Sequence, residues 1–419
     1  MEFRMHSSGL HVYYPEEHEK KNMVFMNTVS QNKQAFTKRE TKQAKAARKL
    51  YGKLLFPSTK DFRWMIQSNQ IKNCEVTVRD IDVAHEIWGK DISALKGKTT
   101  RSKPTHVAGD LVKIPREYKL LQKSVFITAD IFFVNGAPFF ITLSRKIDFL
   151  GISHLPGRKI QNIFQAYKSL HRYYLRRGFR ITTVHADGEF VPLKELIEGM
   201  PGGPSMNLAG ANEHVPEIER GIRVVKERSR ALRHSLPYNR IPLLMTIRGI
   251  LVIARMLNQF PTKNGISKTF SPKTILSGES LDYKKHLQIQ FGQYCQVHEN
   301  HTPRNSEKER TLGAISMGPS GNKQGGYYFM SLKTGSKVHR FSWDEVPMPD
   351  SVIKRVNTLG KDQPEHFIFT DRKGRLIGEN ELTGVDGETE NPLQIEIIED
   401  DDLDQPDAVD DELAAQLTE

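Results

Sequence analysis

Three acidic residues, Asp130, Asp187 and Glu219, stand in settings that suit metal-dependent phosphoryl chemistry. Asp130 ends the apolar run VFITAD and is followed by IFFV. A carboxylate inside such a strand is costly unless it faces a cleft, a cation or a partner. Asp187 comes just after RITTV, and Gly188 behind it leaves room for close backbone approach. Glu219 opens a basic helix. At 100° per residue, Glu219, Arg223, Lys226 and Arg230 fall within an arc of roughly 60°, beside an apolar arc of Ile218, Ile222, Val225 and Leu232. Phosphodiester transfer needs an activated oxygen nucleophile, a stabilised leaving oxygen and neutralisation of the charge building on phosphorus. Two divalent ions held by carboxylates supply all three. Hard ions such as Mg2+ or Mn2+ select oxygen ligands, so Asp and Glu suffice. Each acid also has a plain structural reading: an edge aspartate, an Asp-Gly turn, and an i,i+4 ion pair between Glu219 and Arg223. Glu217 stands as an alternative to Glu219.

The elements that would position these acids are legible from pattern. SVFITADIFFV, GAPFFITLS and DFLGISHL are β-branched and aromatic runs split by turn signals at Asn135-Gly136 and around Arg145 to Lys146. An antiparallel meander is expected. Arg158 to Arg177 puts Ile160, Ile163, Phe164, Tyr167, Leu170 and Tyr174 on one helical face. A strand over Phe179 to Val184 then delivers HADGEF, and helices over about Pro216 to His234 and Pro242 to Leu257 follow. Meander, helix, strand and helices in this order predict an RNase H-like α/β core, a mixed sheet flanked by helices.

Around that core, the first hundred residues read as helical and basic overall, with helices over residues 38 to 53, 61 to 71 and 80 to 88, and Leu95 to Pro104 reads as an exposed linker. From His286 to Pro349 short strands return, as in a small barrel or sandwich. The resulting division is a helical basic region at 1–105, the core at 106–265, a small β-barrel-like, β-rich DNA-binding domain at 266–355, and an acidic disordered tail or linker at 356–419, of which 376–419 has little to bury.

Charge names the partner class. The chain carries 61 Lys and Arg against 50 Asp and Glu, a net of +11. No basic residue follows Arg375, and 16 acids follow it, so removing them from the net leaves +27 on residues 1–375. Such a body suits a polyanion. Two cysteines, Cys74 and Cys295, supply neither a disulfide framework nor a cysteine-rich zinc site. The first residues lack the apolar core of a signal peptide, and Ile241 to Leu257 is too short and too charged to span a bilayer. A buried helix inside a non-secreted protein, with no membrane partner, is expected.

VFITADIFF, VHADGEF and VPEIERGIRVVKERSRAL together resemble the three acid-bearing motifs of the integrase region of copia-type retrotransposon polyproteins, within the retroviral-type integrase family. The resemblance covers about Thr37 to Gly360. It implies that Asp130, Asp187 and Glu219 form the catalytic, metal-binding triad, with Mg2+ or Mn2+ as cofactor. It also implies 3′-end processing and strand transfer of element DNA into target DNA, Arg223, Lys226 and Arg230 positioning that DNA. A homo-oligomer, other parts of the element polyprotein as partners, synthesis in the cytoplasm and work in the nucleus come with it. The family's His-His-Cys-Cys site has no counterpart, since His6, His11 and His18 lack the matching cysteine pair, and no zinc is expected. Two other readings stay open: a catalytically inactive nucleic-acid-binding remnant, and an RNase H-like nuclease that cuts without joining.

Overall fold

The computed structural model describes residues 26–100, 111–121, 123–208, 216–262, 265–299, 307–371 and 374–377, with short strands at 4–5, 11–12 and 394–397. Two compact units interleave along the chain. One holds Met1–Asp110, Lys226–Val252 and Leu281–Ile368, the other Leu111–Val225, Ile253–Ser280 and Phe369–Glu419.

The second unit is built on a mixed sheet. Its strands are β1 (Ser124–Val134), β2 (Ala137–Ser144), β3 (Phe149–His154), β4 (Arg180–Ala186) and β5 (Ser205–Leu208), in spatial order β3-β2-β1-β4-β5. The first three form an antiparallel meander, and β4 and β5 add in parallel beyond β1. This is the RNase H-like α/β order. Asn135 and Gly136 turn β1 into β2 with φ of 50° and 79°, the left-handed pair that a tight hairpin turn requires. Alternation then sorts the side chains. Val125, Ile127, Ala129, Ile131 and Phe133 point to one face, where they join Ile163, Tyr167, Leu170 and Tyr174 of the helix Ile160–Leu175 in one buried cluster. Phe126, Thr128, Asp130 and Phe132 therefore point to the other face.

Within the stretch read as an acidic tail, residues 356–371 and 374–377 carry described structure. The helix Asp350–Leu359 buries Val352 and Val356 within the first unit. In the second unit Phe369–Thr370 pairs with β1, and the Phe369 ring stacks on Phe132 with centroids 6.2 Å apart. Farther on, Gln394–Ile397 runs parallel to β3, and the rest of the acidic segment beyond Ile377 lies outside the described residues.

The first unit combines helices with a five-stranded antiparallel sheet, ordered Lys337–Arg340, Tyr327–Ser331, Thr311–Pro319, Tyr294–His298, Trp343–Glu345. Residues 1–105 and 281–355, read as parts of separate domains, share this unit with 226–252, while 266–280 fall in the second unit. Met26 and Leu95 join Tyr238, Met245, Tyr294, Ile315 and Met330 in a single core cluster. Amino-terminal helices form at Val29–Gln34, Lys38–Lys53, Thr59–Gln67, Val78–Trp88 and Ile92–Lys98. The last of these occupies the start of the expected linker, because Asp91 caps it, accepting from the Ser93 and Ala94 amides, and Leu95 is buried. Residues 101–110 of that linker lie outside the described residues. Both cysteines are free thiols. Arg248 and Arg255 of the helix Leu243–Leu257 are buried, and no helix among the described residues is long and apolar enough to cross a membrane.

Asp344 ties the Trp343–Glu345 strand to its surroundings. It bonds the His298 imidazole Nε2 at 2.9 Å and accepts from Lys90 Nζ at 2.5 Å. The His298 bond, followed by Lys90, outweighs partial burial and holds the Asp344 carboxyl down at about 2, below its ordinary 3.8. A carboxyl depressed in the folded state stabilises fully above its unfolded value and loses that contribution as pH falls through its folded value. Acid denaturation between about pH 4 and pH 2 is therefore expected to be less steep in Asp344→Asn than in the unaltered chain. Parallel urea titrations at stepped pH measure it, and identical pH slopes would exclude the contribution.

Candidate functional site

Strand register sets two of the acids side by side. The last paired positions between β1 and β4 are Ala129 and Ala186, so Asp130 and Asp187 each stand one residue beyond them. Paired strands lie about 4.8 Å apart, which makes the two aspartates backbone neighbours at the carboxyl end of β4. They also share a face. His185 meets the Phe126 ring at 6.2 Å, on the side of β1 that carries Asp130, and Asp187 lies two residues farther along the same alternation.

Both aspartates are half-buried. The Ile131 amide donates to Asp130 Oδ1 at 2.7 Å, and the Gly188 amide donates to Asp187 Oδ1 at 2.6 Å. The second bond caps the short 3-10 helix Gly188–Leu193. A carboxylate at that position meets the partial positive charge of the exposed amides.

Glu219 lies in the helix Pro216–Ser235, whose residues up to Val225 belong to the same unit. This helix packs on the aspartate face of the sheet through Gly221. A Cβ built on Gly221 would stand 3.1 Å from Leu150 Cδ2 and 4.0 Å from Ile141 Cδ1, and Ile141 is the cross-strand partner of Asp130. The glycine thus permits a close approach that a larger residue would block. Two opposing terms make Gly221→Ala nearly neutral: Ala favours the helix by about 1 kcal/mol, and Leu150 must shift to admit it. Gly221→Leu is expected to cost about 1–3 kcal/mol by overpacking. Urea midpoints of both variants give the comparison, and a Leu variant as stable as the Ala variant would show that the helix does not rest on this contact.

With Gly221 against the sheet, Glu219 falls about 160° round the helix from it. Glu219 is exposed, as are Arg223 and Arg230, while Lys226 is half-buried. Ile218, Ile222 and Val225 are buried as the amphipathic pattern required. Glu217 turns instead toward the β2–β3 connection, where Arg145 Nε donates to its carboxylate at 2.9 Å. The Arg145 guanidinium also sits over the Phe126 ring at 4.1 Å.

Asp148, in the same connection, is an acid that the motif reading passed over. Thr262 Oγ1 donates to it at 2.7 Å. Its carboxyl is raised above the usual range, chiefly by burial and further by the charge of Glu217, with the Thr262 bond opposing. Nothing in its sequence context, the turn before FLGISH, marked it as different from other turn aspartates.

Strand register thus sets Asp130 beside Asp187. Among the described residues no group of three or more His, Cys, Asp and Glu side chains is placed to hold a metal ion. The pair's oxygen-only chemistry suits a hard divalent cation.

The first unit contains a separate cavity of about 710 Å³ among its amino-terminal helices, with Tyr51, Phe62, Ile81 and Leu95 in its wall. Its four Arg and Lys side chains, Arg48, Arg63, Lys90 and Lys98, are matched by Asp82, Glu86, Asp91 and Asp344. That balance gives it no net attraction for a polyanion.

No protein-family model matches the chain, and no curated protein matches it. Among solved structures it is similar to the catalytic core domain of BIV integrase, at 13% identity over 36% of this chain and 92% of that one, with a TM-score of 0.27. It is also similar to a chain in the simian T-cell lymphotropic virus intasome, determined in complex with a PP2A regulatory subunit. There the identity is 9% over 68% of this chain and 94% of that one, with a TM-score of 0.28. At such identities and scores neither likeness assigns an activity.

Proposed function

We propose that this chain is a DNA integrase of the retroviral type, resembling those of copia-type retrotransposons, that trims an element's DNA end and joins it to target DNA. The observation that carries the reading is the pairing of Asp130 with Asp187, one residue past the last β1–β4 register pair and on one face of the sheet. Asp130 and Asp187 would hold Mg2+ or Mn2+, with Glu219 as the third ligand once its side chain reaches them. When bound, the ions polarise the scissile phosphate and neutralise charge on the entering and leaving oxygens.

The chain's own residues then orient the DNA. Arg223, Lys226 and Arg230 offer cations in line along the helix that carries Glu219, where a phosphate backbone would run. In the first reaction water attacks phosphorus at the element end and the P–O bond to the element's own 3′-oxygen breaks, so the departing nucleotide carries the phosphate on its 5′ side and the element keeps a free 3′-hydroxyl. In the second that hydroxyl attacks a target phosphodiester, forming one P–O bond as another breaks and releasing a target 3′-hydroxyl. Holding both DNA segments for in-line attack converts an encounter into an intramolecular step, the largest contribution that positioning can make. Joining two ends together calls for a multimer.

The test is an assay of purified protein with labelled element-end DNA, target DNA and Mg2+ or Mn2+. Integrase action yields labelled strands longer than the substrate. Only shorter strands would indicate a nuclease, and unchanged strands with retained binding would indicate a remnant that grips DNA without acting on it.

A further inference from the structure

The helix Lys38–Lys53 carries a charge pattern that the acidic site does not use. Lys38, Lys42, Lys45, Lys49 and Lys53 are all exposed. At 100° per residue they fall within an arc of roughly 80°, and they span roughly 22 Å of helix axis. Ala44 and Ala47, buried at 0% and 2% exposure, lie on the opposite side and seat the helix in the cluster with Phe62, Ile81 and Ile87. The helix has one acid, Glu40, on the side away from the lysines. It is already engaged by Thr37 in the capping box and by Arg79 at 3.0 Å. None of the five lysines forms an ion pair or side-chain hydrogen bond among the described residues.

Five like charges in a row repel one another, and the fold keeps them aligned without acids between them. The arrangement costs stability that an opposing row of negative charge would recover. Duplex nucleic acid supplies such a row, with one charge per about 1.7 Å of axis. The lysines are point charges on flexible stems with no base-reading geometry, so the contact they make is with phosphates.

We propose that this lysine face is a sequence-independent clamp for the backbone of double-stranded DNA, separate from the acidic site. The proposal deepens the DNA reading above by assigning a holding surface to the first unit. Five neutralised phosphates contribute about −4.5 to the slope of log affinity against log salt, which is a loss of about 500-fold between 50 and 200 mM.

The experiment compares the full chain with a variant in which each of the five lysines is replaced by Gln, measuring duplex affinity across that salt range. The unaltered chain is expected to lose about 500-fold more affinity than the variant. Parallel salt dependences overturn the proposal. Lysine acylation of the unaltered chain, read by mass spectrometry, gives a second measurement that does not depend on the variant folding. Adding duplex is expected to protect the five lysines and to leave the exposed Lys60 and Lys72 reactive. Unchanged reactivity of the five overturns the proposal, as does equal protection by poly-glutamate at matched charge, which would make the partner an acidic polypeptide. Joining that is indifferent to Asp187, with the footprint intact, would remove the catalytic reading and leave the clamp standing.

Discussion

Asp187→Asn is expected to lower DNA joining by about three orders of magnitude while leaving the fold and duplex affinity unchanged. Losing one carboxylate from the proposed cation site would forfeit several kcal/mol of charge stabilisation, and each 1.36 kcal/mol is tenfold in rate. The substitution is gentle structurally. Asp187 accepts the Gly188 amide at 2.6 Å as a helix cap, and Asn accepts the same bond through its own side-chain oxygen. The near-isosteric exchange therefore separates charge from shape. Joining should be followed at saturating DNA, so that any loss belongs to the chemical step and not to binding. Asp130→Asn should act in the same direction, because register sets it beside Asp187. Unaltered joining in either variant would remove the pair from the reaction.

Local signals explain what could be read in advance. Asn135-Gly136 specified the first hairpin, and both residues adopt left-handed φ. The apolar arc of Ile218, Ile222, Val225 and Leu232 identified the inward side of its helix: the first three are buried and Leu232 is half-buried. The helix over Lys38–Lys53 begins where Thr37 and Glu40 complete a capping box and ends at its last lysine. These features depend on neighbours within a few residues, which sequence displays directly.

What escaped reading depends on partners far along the chain. Phe369 stacks on Phe132, and nothing in the polar stretch around it announces a strand. Met26, Tyr238 and Met330 share one core although they come from three separated segments, so linear boundaries do not reveal the interleaved units. The same limit governs the site. Asp130 and Asp187 become neighbours only because β1 and β4 pair in parallel with this register. The direction of Glu219 likewise depends on how the helix seats Gly221 on Leu150 and Ile141. A helical wheel shows that the acid and three cations share a face; it does not show which way that face turns.

Phe149→Ala is expected to destabilise the second unit by about 3–5 kcal/mol, the usual cost of emptying a fully buried aromatic position. Phe149 begins β3 with no exposed surface. Its ring stacks on Tyr173 at 5.5 Å and meets Tyr174 edge-on at 5.7 Å, so one side chain links the meander to the helix Ile160–Leu175. Its backbone is held as well, the amide donating to Ser144 Oγ at 3.0 Å. That bond survives the substitution and limits how far β3 can move to fill the space, which places the cost toward the upper part of the range. For a unit of this size each kcal/mol lowers the melting temperature by about 2–4 °C, giving a fall of about 6–20 °C. Phe149→Leu keeps much of the volume and should lose about 1–2 kcal/mol. Calorimetry of the two variants would test the order, and a Leu variant no more stable than the Ala variant would mean that ring packing against Tyr173 and Tyr174, not filled volume, carries the stability there.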